Sequence, residues 1–433
     1  MHNSSRRQFM KTASLASAPL FMPGLALGNT SPDAKKDLRF ALVGCGGRGN
    51  GLAIEASQHG KIVALCDVDE KRLANAAKKH PEAVLFTDFR RLVEQDYVDA
   101  VLCGTVDHWH VMVSIAAMKA GKDVYCEKPL TLTFEEGRHI TKAVKDTGRI
   151  LQVGSQQRSE ERFRRACECV RNGRIGKLRH VDVFIPEGPR MFPFHETTAP
   201  SHFNFDFWKG PTPEVPYIKE RTHITFRYFW DYSGGTLTDW GAHHNDIAIW
   251  GAGLEDTWPT KIKGVSHAPA IPGGFTADTR FTIDYEYANG LTFTCRTTPD
   301  SHFYGMLLRE DGQGHGVKFI GDDGWIWVTR GAWDASDRAI LRDQPAAGDI
   351  KLYRSNHHME NFVDCIYSRK QPIVTAETGN RTAGTCHLGV IALRLGRELT
   401  FDPRKEMFPG DEEATSMLAR PMREPYNYSF LKG

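Results

Sequence analysis

Phe40-Ala41-Leu42-Val43-Gly44-Cys45-Gly46-Gly47-Arg48-Gly49 is an apolar run that ends directly in G-x-G-x-x-G. A second apolar run, Ile62-Val63-Ala64-Leu65-Cys66, closes on Asp67. Strand, glycine turn, helix, second strand and acid, in that order, are the setting in which this glycine pattern binds a dinucleotide. Gly44 permits the tight turn, Gly46 lets backbone approach a pyrophosphate, and Gly49 lets the helix pack close to the strand. The helix start, with Gly47 and Arg48 in its first turn, offers free N–H groups and a partial positive charge to phosphates. A carboxylate at Asp67 accepts both ribose hydroxyls, which favours NAD. Arg48, Lys71 and Arg72 stand close enough to leave NADP open.

Outward from this stretch, β-type runs at 40–43, 62–66, 83–86, 100–103, 123–126 and 150–153 alternate with helical stretches at 70–79, 110–120 and 134–147. Such alternation builds a parallel sheet covered by helices. Ligands of these sheets bind at the carboxyl ends of the strands. The loop Gly104-Thr105-Val106-Asp107-His108-Trp109-His110 follows the fourth run, and Glu127-Lys128-Pro129 follows the fifth. Thr105, Asp107, His108, His110, Glu127 and Lys128 are therefore expected along the cofactor, with Lys128 at its nicotinamide end.

After about residue 156 the character changes. A helix is expected at 160–172, then β-type runs at 178–185, 260–266, 280–287, 291–298, 306–309, 316–320 and 324–329. Asn289-Gly290 is a strong hairpin turn and Asp323-Gly324 another. This order makes a second, mostly antiparallel sheet. Further helices are expected at 242–250, 358–368 and 382–399.

The chain has 433 residues, 40% hydrophobic and 25% charged, with net charge +2. No basic tract points to nucleic acid. Nine cysteines at irregular spacing form neither a disulfide framework nor a zinc pattern. Ser5-Arg6-Arg7-Gln8-Phe9-Met10-Lys11, followed by a short apolar segment and Ala26-Leu27-Gly28, reads as a twin-arginine export signal over residues 1–28. The apolar part is too short for a stable membrane span. A periplasmic protein is expected, loaded with cofactor before export.

Gly234-Gly235-Thr236-Leu237-Thr238-Asp239-Trp240-Gly241-Ala242-His243-His244-Asn245-Asp246 opens the 242–250 helix. Helical spacing puts Asp239, His243 and Asp246 on one face. Adjacent histidines point to different faces, so no metal is expected here. Taken singly, a lysine before proline is a solvated residue and a helical histidine a packed one. Oxidising a secondary alcohol needs a base for the hydroxyl proton while hydride leaves carbon. His243 takes the hydroxyl proton. Lys128 stabilises alkoxide character and lowers the pKa of His243. Asp239 orients the histidine or binds a neighbouring hydroxyl. Tyr217, Arg227, Tyr228 and His244 are candidates for substrate contact, although packing of an aromatic loop accounts for any one of them as well.

The Glu-Lys-Pro and Gly-Gly-x-x-x-Asp-x-x-x-His-x-x-Asp pair resembles the glucose–fructose oxidoreductase / inositol dehydrogenase / MocA family over nearly the whole mature chain. The resemblance implies a Rossmann domain at 36–155 and an α/β domain with a large open sheet at 156–400, followed by a tail at 401–433. It also implies Lys128, Asp239 and His243 as the catalytic trio, NAD or NADP as cofactor, and a homodimer or homotetramer formed through the open sheet. Two departures stand out. The family usually carries a proline shortly after the fourth strand, where this chain has Val106. Its glycosidase branch carries a Gly-Asn-Leu-Tyr-type motif, where this chain has Gly235-Thr236-Leu237-Thr238. A sugar or polyol oxidoreductase that recycles a tightly held cofactor is therefore expected. A redox-neutral glycosidase or lyase and a non-catalytic sugar- or nucleotide-binding protein are the alternatives.

Overall fold

The computed structural model describes residues 38–189, 193–268, 271–298 and 315–432. The expected export segment and the expected strand at 306–309 lie outside them. Six strands form the first sheet: β1 (Leu38–Val43), β2 (Gly60–Cys66), β3 (Val84–Phe86), β4 (Ala100–Cys103), β5 (Asp123–Cys126) and β6 (Leu151–Val153). All pair in parallel, in the order β3-β2-β1-β4-β5-β6. The order reverses between β1 and β4, so a crevice opens above their carboxyl ends. Leu42, Leu102 and Tyr125 pack beneath Phe362 and Val363 of the helix His358–Ser368, which comes from far along the chain.

The second sheet holds β7 (Leu178–Pro186), β8 (Lys261–Ser266), β9 (Phe281–Glu286), β10 (Thr292–Thr298), β11 (Gly316–Gly321), β12 (Trp325–Thr329), β13 (Ala332–Ala335) and β14 (Glu398–Thr400). Their order is β13-β12-β11-β7-β10-β9-β8-β14. Every pair is antiparallel except the central β7–β10 pair, so the sheet is mixed. Gly290, at φ +80, turns the β9–β10 hairpin as its Asn-Gly pair demands. Side chains alternate between faces: Val181, Val183, Ile283, Tyr285, Phe293, Val317 and Phe319 are buried in the core, while His180, Asp182, Asp284 and Lys318 lie on the other face. Burying each large apolar side chain contributes roughly 1.5–3 kcal/mol. The helices Glu161–Arg171, Gly241–Ala252 and Ala376–Leu395 cover the inner face.

Two helices depart from the sequence reading. The helix expected at 110–120 starts earlier, as Asp107–Lys119, because Val106 takes an extended N-cap conformation (φ −85, ψ 155). Asp107, His108 and His110 are thus the first helical turn rather than a loop. Valine there keeps a backbone close to what proline would impose. The helix expected at 382–399 spans Ala376–Leu395 instead. Thr375 caps its start, Gly396 ends it in the left-handed region (φ +62), and β14 follows. No described helix is long and apolar enough to cross a membrane.

Candidate active site

The first cavity, of about 390 Å³, lies above the β1 and β4 ends. Gly44 sits at φ +92, and a Cβ on Gly49 would fall 1.8 Å from the Gly44 carbonyl oxygen. No side chain caps the start of the helix Gly47–Ala56, and its first turn holds no acid. Gly44, Gly46, Gly47 and Arg48 line the cavity, Gly49 packs behind them, and a Cβ on Gly47 would meet nothing within 4 Å. Open N–H groups over a cradle free of side chains fit a pyrophosphate. Asp67 stands at the far edge, accepting hydrogen bonds from the amides of Cys45 at 2.7 Å and Asp69 at 2.8 Å. Burial pushes its carboxyl up to about 6, against these bonds and Arg72. It is therefore mainly ionised at neutral pH. These residues fit the adenosine and phosphate parts of NAD.

The segment between β7 and the Gly241–Ala252 helix closes this cavity. The Glu70 amide donates to the His202 carbonyl at 2.9 Å, and the Asn204 amide donates to the Val68 carbonyl at 3.0 Å. Phe203, Trp208 and Phe226 then roof the cleft. Two expected site residues belong to this packing and not to the cavity. His108 lies one residue further round its helix than Asp107. It is 1% exposed, its Nε2 is 2.7 Å from the Trp208 carbonyl, and its ring sits against Trp208 and Tyr232. Tyr217 packs edge-on against Phe205 at 5.0 Å.

A second cavity, of about 440 Å³, continues from the first; both are lined by Arg48, Thr105, Phe226 and Arg227. Asp107, His110, Glu127, Lys128 and His243 add to its wall. The Lys128 ammonium donates to Asp239 Oδ1 at 2.5 Å and to the Asp239 carbonyl at 3.2 Å. Arg227 Nε lies 3.3 Å from Asp239 Oδ2. Burial alone would push the Asp239 carboxyl up, but Lys128 and Arg227 outweigh it and hold it at about 2. An ammonium has three donors, so one remains for the cavity. His243 has its Nδ1 buried without a partner, which leaves Nε2 as the nitrogen available to the cavity. Burial, then Lys128 and Arg330, hold its pKa well below the usual imidazole value, so the ring is neutral. Glu127 pairs with Arg48 at 2.7 Å. Ser233 donates to Asp107 at 2.5 Å, and burial raises the Asp107 carboxyl. The two His110 ring nitrogens face the carbonyls of Pro129 at 2.6 Å and Thr105 at 3.3 Å.

Three expectations are corrected. His244 is fully buried, stacked on Trp240, with its Nε2 2.9 Å from His315 Nδ1; it faces away from the cavity. Tyr228 packs on Phe275 at 5.1 Å and does not line the cavity. Asp246 turns from the His243 side into a buried bidentate pair with Arg158, both bonds 2.8 Å, and Thr382 adds a third. That pair fastens the helix carrying His243. The sequence reading missed Gln156, Gln157, Glu160, Phe226 and Arg330 in the wall. The carboxyl-end rule reaches Gln156 and Gln157, which follow β6. Nothing local marks Arg330, in the turn between β12 and β13. Among the described residues, no cluster of three or more His, Cys, Asp or Glu is placed to hold a metal ion.

A nucleotide cradle opening onto an ammonium, a carboxylate and a neutral imidazole defines an NAD-dependent oxidoreductase acting on CH–OH groups. Residues 38–155 match the oxidoreductase family with an NAD-binding Rossmann fold. Residues 191–298 and 349–428 match the C-terminal alpha/beta domain of the same oxidoreductase family. The chain belongs to this family, that of glucose–fructose oxidoreductase, inositol dehydrogenase and MocA. It is 31% identical to inositol 2-dehydrogenase 2 of Saccharopolyspora erythraea, over 80% of this chain and 87% of that protein. It is 26% identical to the NAD-dependent scyllo-inositol 2-dehydrogenase of Bacillus subtilis, over 73% and 81% respectively. Its fold matches the aldose-aldose oxidoreductase of Caulobacter crescentus with a TM-score of 0.62 at 18% identity, covering 84% of this chain and 100% of that one.

Proposed function

We propose that the protein oxidises a secondary hydroxyl of a sugar or polyol against NAD. The observation that carries this reading is the placement of Lys128, Asp239 and His243 at one end of a cavity continuous with the glycine cradle. Bound NAD supplies the acceptor for the hydride leaving the substrate carbon. His243, neutral through burial, takes the hydroxyl proton as the carbonyl forms. The third N–H of Lys128 donates to the same oxygen and stabilises its developing negative charge. Asp239 holds that ammonium in place. Thr105, Asp107, His110 and Glu127 border the nicotinamide half, and Asp67 takes the adenosine ribose hydroxyls. This carboxylate favours NAD. Arg72 overhangs Gly46, where a Cβ would come 2.9 Å from its guanidinium, and leaves NADP open.

The double-arginine start further supports export to the periplasm as a folded, cofactor-loaded protein. The aromatic roof supports a cofactor retained between turnovers and recycled within the site. The face of the large sheet that no described helix covers offers a surface for a homodimer or homotetramer.

The test is to purify the protein from cells, quantify bound nucleotide, and offer a panel of sugars and polyols while following nicotinamide absorbance. Reduction with one or a few of them is expected. Failure to hold any nicotinamide nucleotide would overturn the reading. Release of a sugar's leaving group with no net reduction would point instead to redox-neutral cleavage, and retained nucleotide without any response to a binding protein.

A further inference from the structure

Arg330 leaves the β12–β13 turn and reaches the second cavity beside His243. The other cations of that wall are matched: Arg48 by Glu127, and Lys128 and Arg227 by Asp239. Among the described residues, Arg330 alone of these has no carboxylate within 4 Å; Glu160 of the same wall acts on it from further off, and accepts from the Gly331 amide at 3.1 Å and lies 3.5 Å from Arg162. Its guanidinium lies 5.0 Å from the Trp240 ring centre. With the Gln157 amide in the orientation its neighbours require, the Gln157 side chain donates to the His243 carbonyl at 2.8 Å and accepts from Arg330 Nε at 3.1 Å. One nitrogen is thus fixed, and both terminal NH₂ groups remain for a ligand. Arg330 lines the second cavity and not the first, whereas Arg72 lines the first and not the second. The anion that matches Arg330 therefore belongs to the substrate and not to the cofactor phosphates. With both terminal NH₂ groups left to the cavity, the planar guanidinium edge fits a planar carboxylate through two parallel bonds.

We propose that the substrate is an acidic sugar, an aldonate or uronate, whose carboxylate pairs with Arg330 while one of its hydroxyls meets Lys128 and His243. This rests on the oxidoreductase reading above. The experiment uses the cofactor-loaded protein with matched pairs, glucose against gluconate and glucuronate, and galactose against galacturonate, with glucose 6-phosphate as the phosphate arm. Binding is measured by calorimetry and turnover by nicotinamide absorbance. A charge-assisted pair predicts that one acid binds roughly 10- to 100-fold more tightly than its neutral partner, and that Arg330→Met brings the ratio near one. Arg330→Lys should keep part of it. Equal binding of acid and neutral sugars, a ratio unmoved in Arg330→Met, or tightest binding by the sugar phosphate would each overturn the proposal. Arg330-dependent acid binding with no reduction of nicotinamide by any sugar would uphold the carboxylate site and overturn the oxidoreductase reading instead.

Discussion

The two walls of the cleft are made by different means. The first-sheet wall is backbone: Gly44, Gly46, Gly49 and Gly104 remove side chains so that strand, helix and ligand approach closely. The opposite wall is charged side chain: Arg227, Asp239, His243 and Arg330, carried by the second half of the chain. Backbone amides bind what every dinucleotide shares. On the proposed reading, side chains from distant segments set the chemistry and the substrate. The second wall therefore depends on distant anchors, above all the buried Arg158–Asp246 pair, in a way the first does not.

That contrast breaks most visibly at the reacting end. Lys128→Ala and His243→Ala should each lower kcat by about 10²- to 10⁴-fold, with nucleotide still bound; turnover like the parent's in either would remove that residue from the mechanism. Next comes the anchor. Arg158→Met leaves Asp246 buried and unpaired, so denaturant unfolding should show a loss of about 3–5 kcal/mol. A change within error would mean that the pair does not hold the helix.

The glycine wall should respond by position. Gly49→Ala drives a Cβ into the Gly44 carbonyl and should abolish nucleotide binding, with roughly 1–3 kcal/mol of overpacking cost. Gly47→Ala meets nothing in the protein and should leave unfolding stability within roughly 1 kcal/mol of the parent. Equal effects at the two positions would contradict a backbone-built cradle.

The smallest effect is with pH. The folded His243 pKa lies well below its unfolded value of about 6.5, so the unfolded chain binds a proton that the folded chain refuses. This contribution to stability is full above about 6.5 and falls as pH drops below it. Asp239, held at about 2, adds stability that is lost only as pH falls from about 4 towards 2. The acid limb of kcat/KM should accordingly lie well below pH 6.5. A limb centred on 6.5 would mean that the base is a solvated imidazole.

The first sheet was legible because its strands are short, mostly apolar runs, and the glycine turn follows the first of them at once. Lys128 and the Asp239–His243 segment were legible because each sits beside a recognisable boundary, a strand end or a double glycine. His108 and His244 were misplaced because one residue's step round a helix turns a side chain from cavity to core. Tyr217 and Tyr228 were misplaced because aromatic packing, and not polarity, decides where such residues go in the segment over the cleft. Arg330 and its partner Gln157 follow strands of different sheets, and only tertiary packing brings them to one wall.

The central claim is that a nicotinamide ring seats between the glycine cradle and the Lys128–His243 end of the cavity. A crystal structure with NAD bound tests it most directly. The ring should lie in the second cavity, with its reactive carbon facing a space where a substrate carbon about 3–3.5 Å away would place its hydroxyl against Lys128 Nζ and His243 Nε2. A ring bound outside that cavity, with neither side chain able to reach such a hydroxyl, would contradict the account.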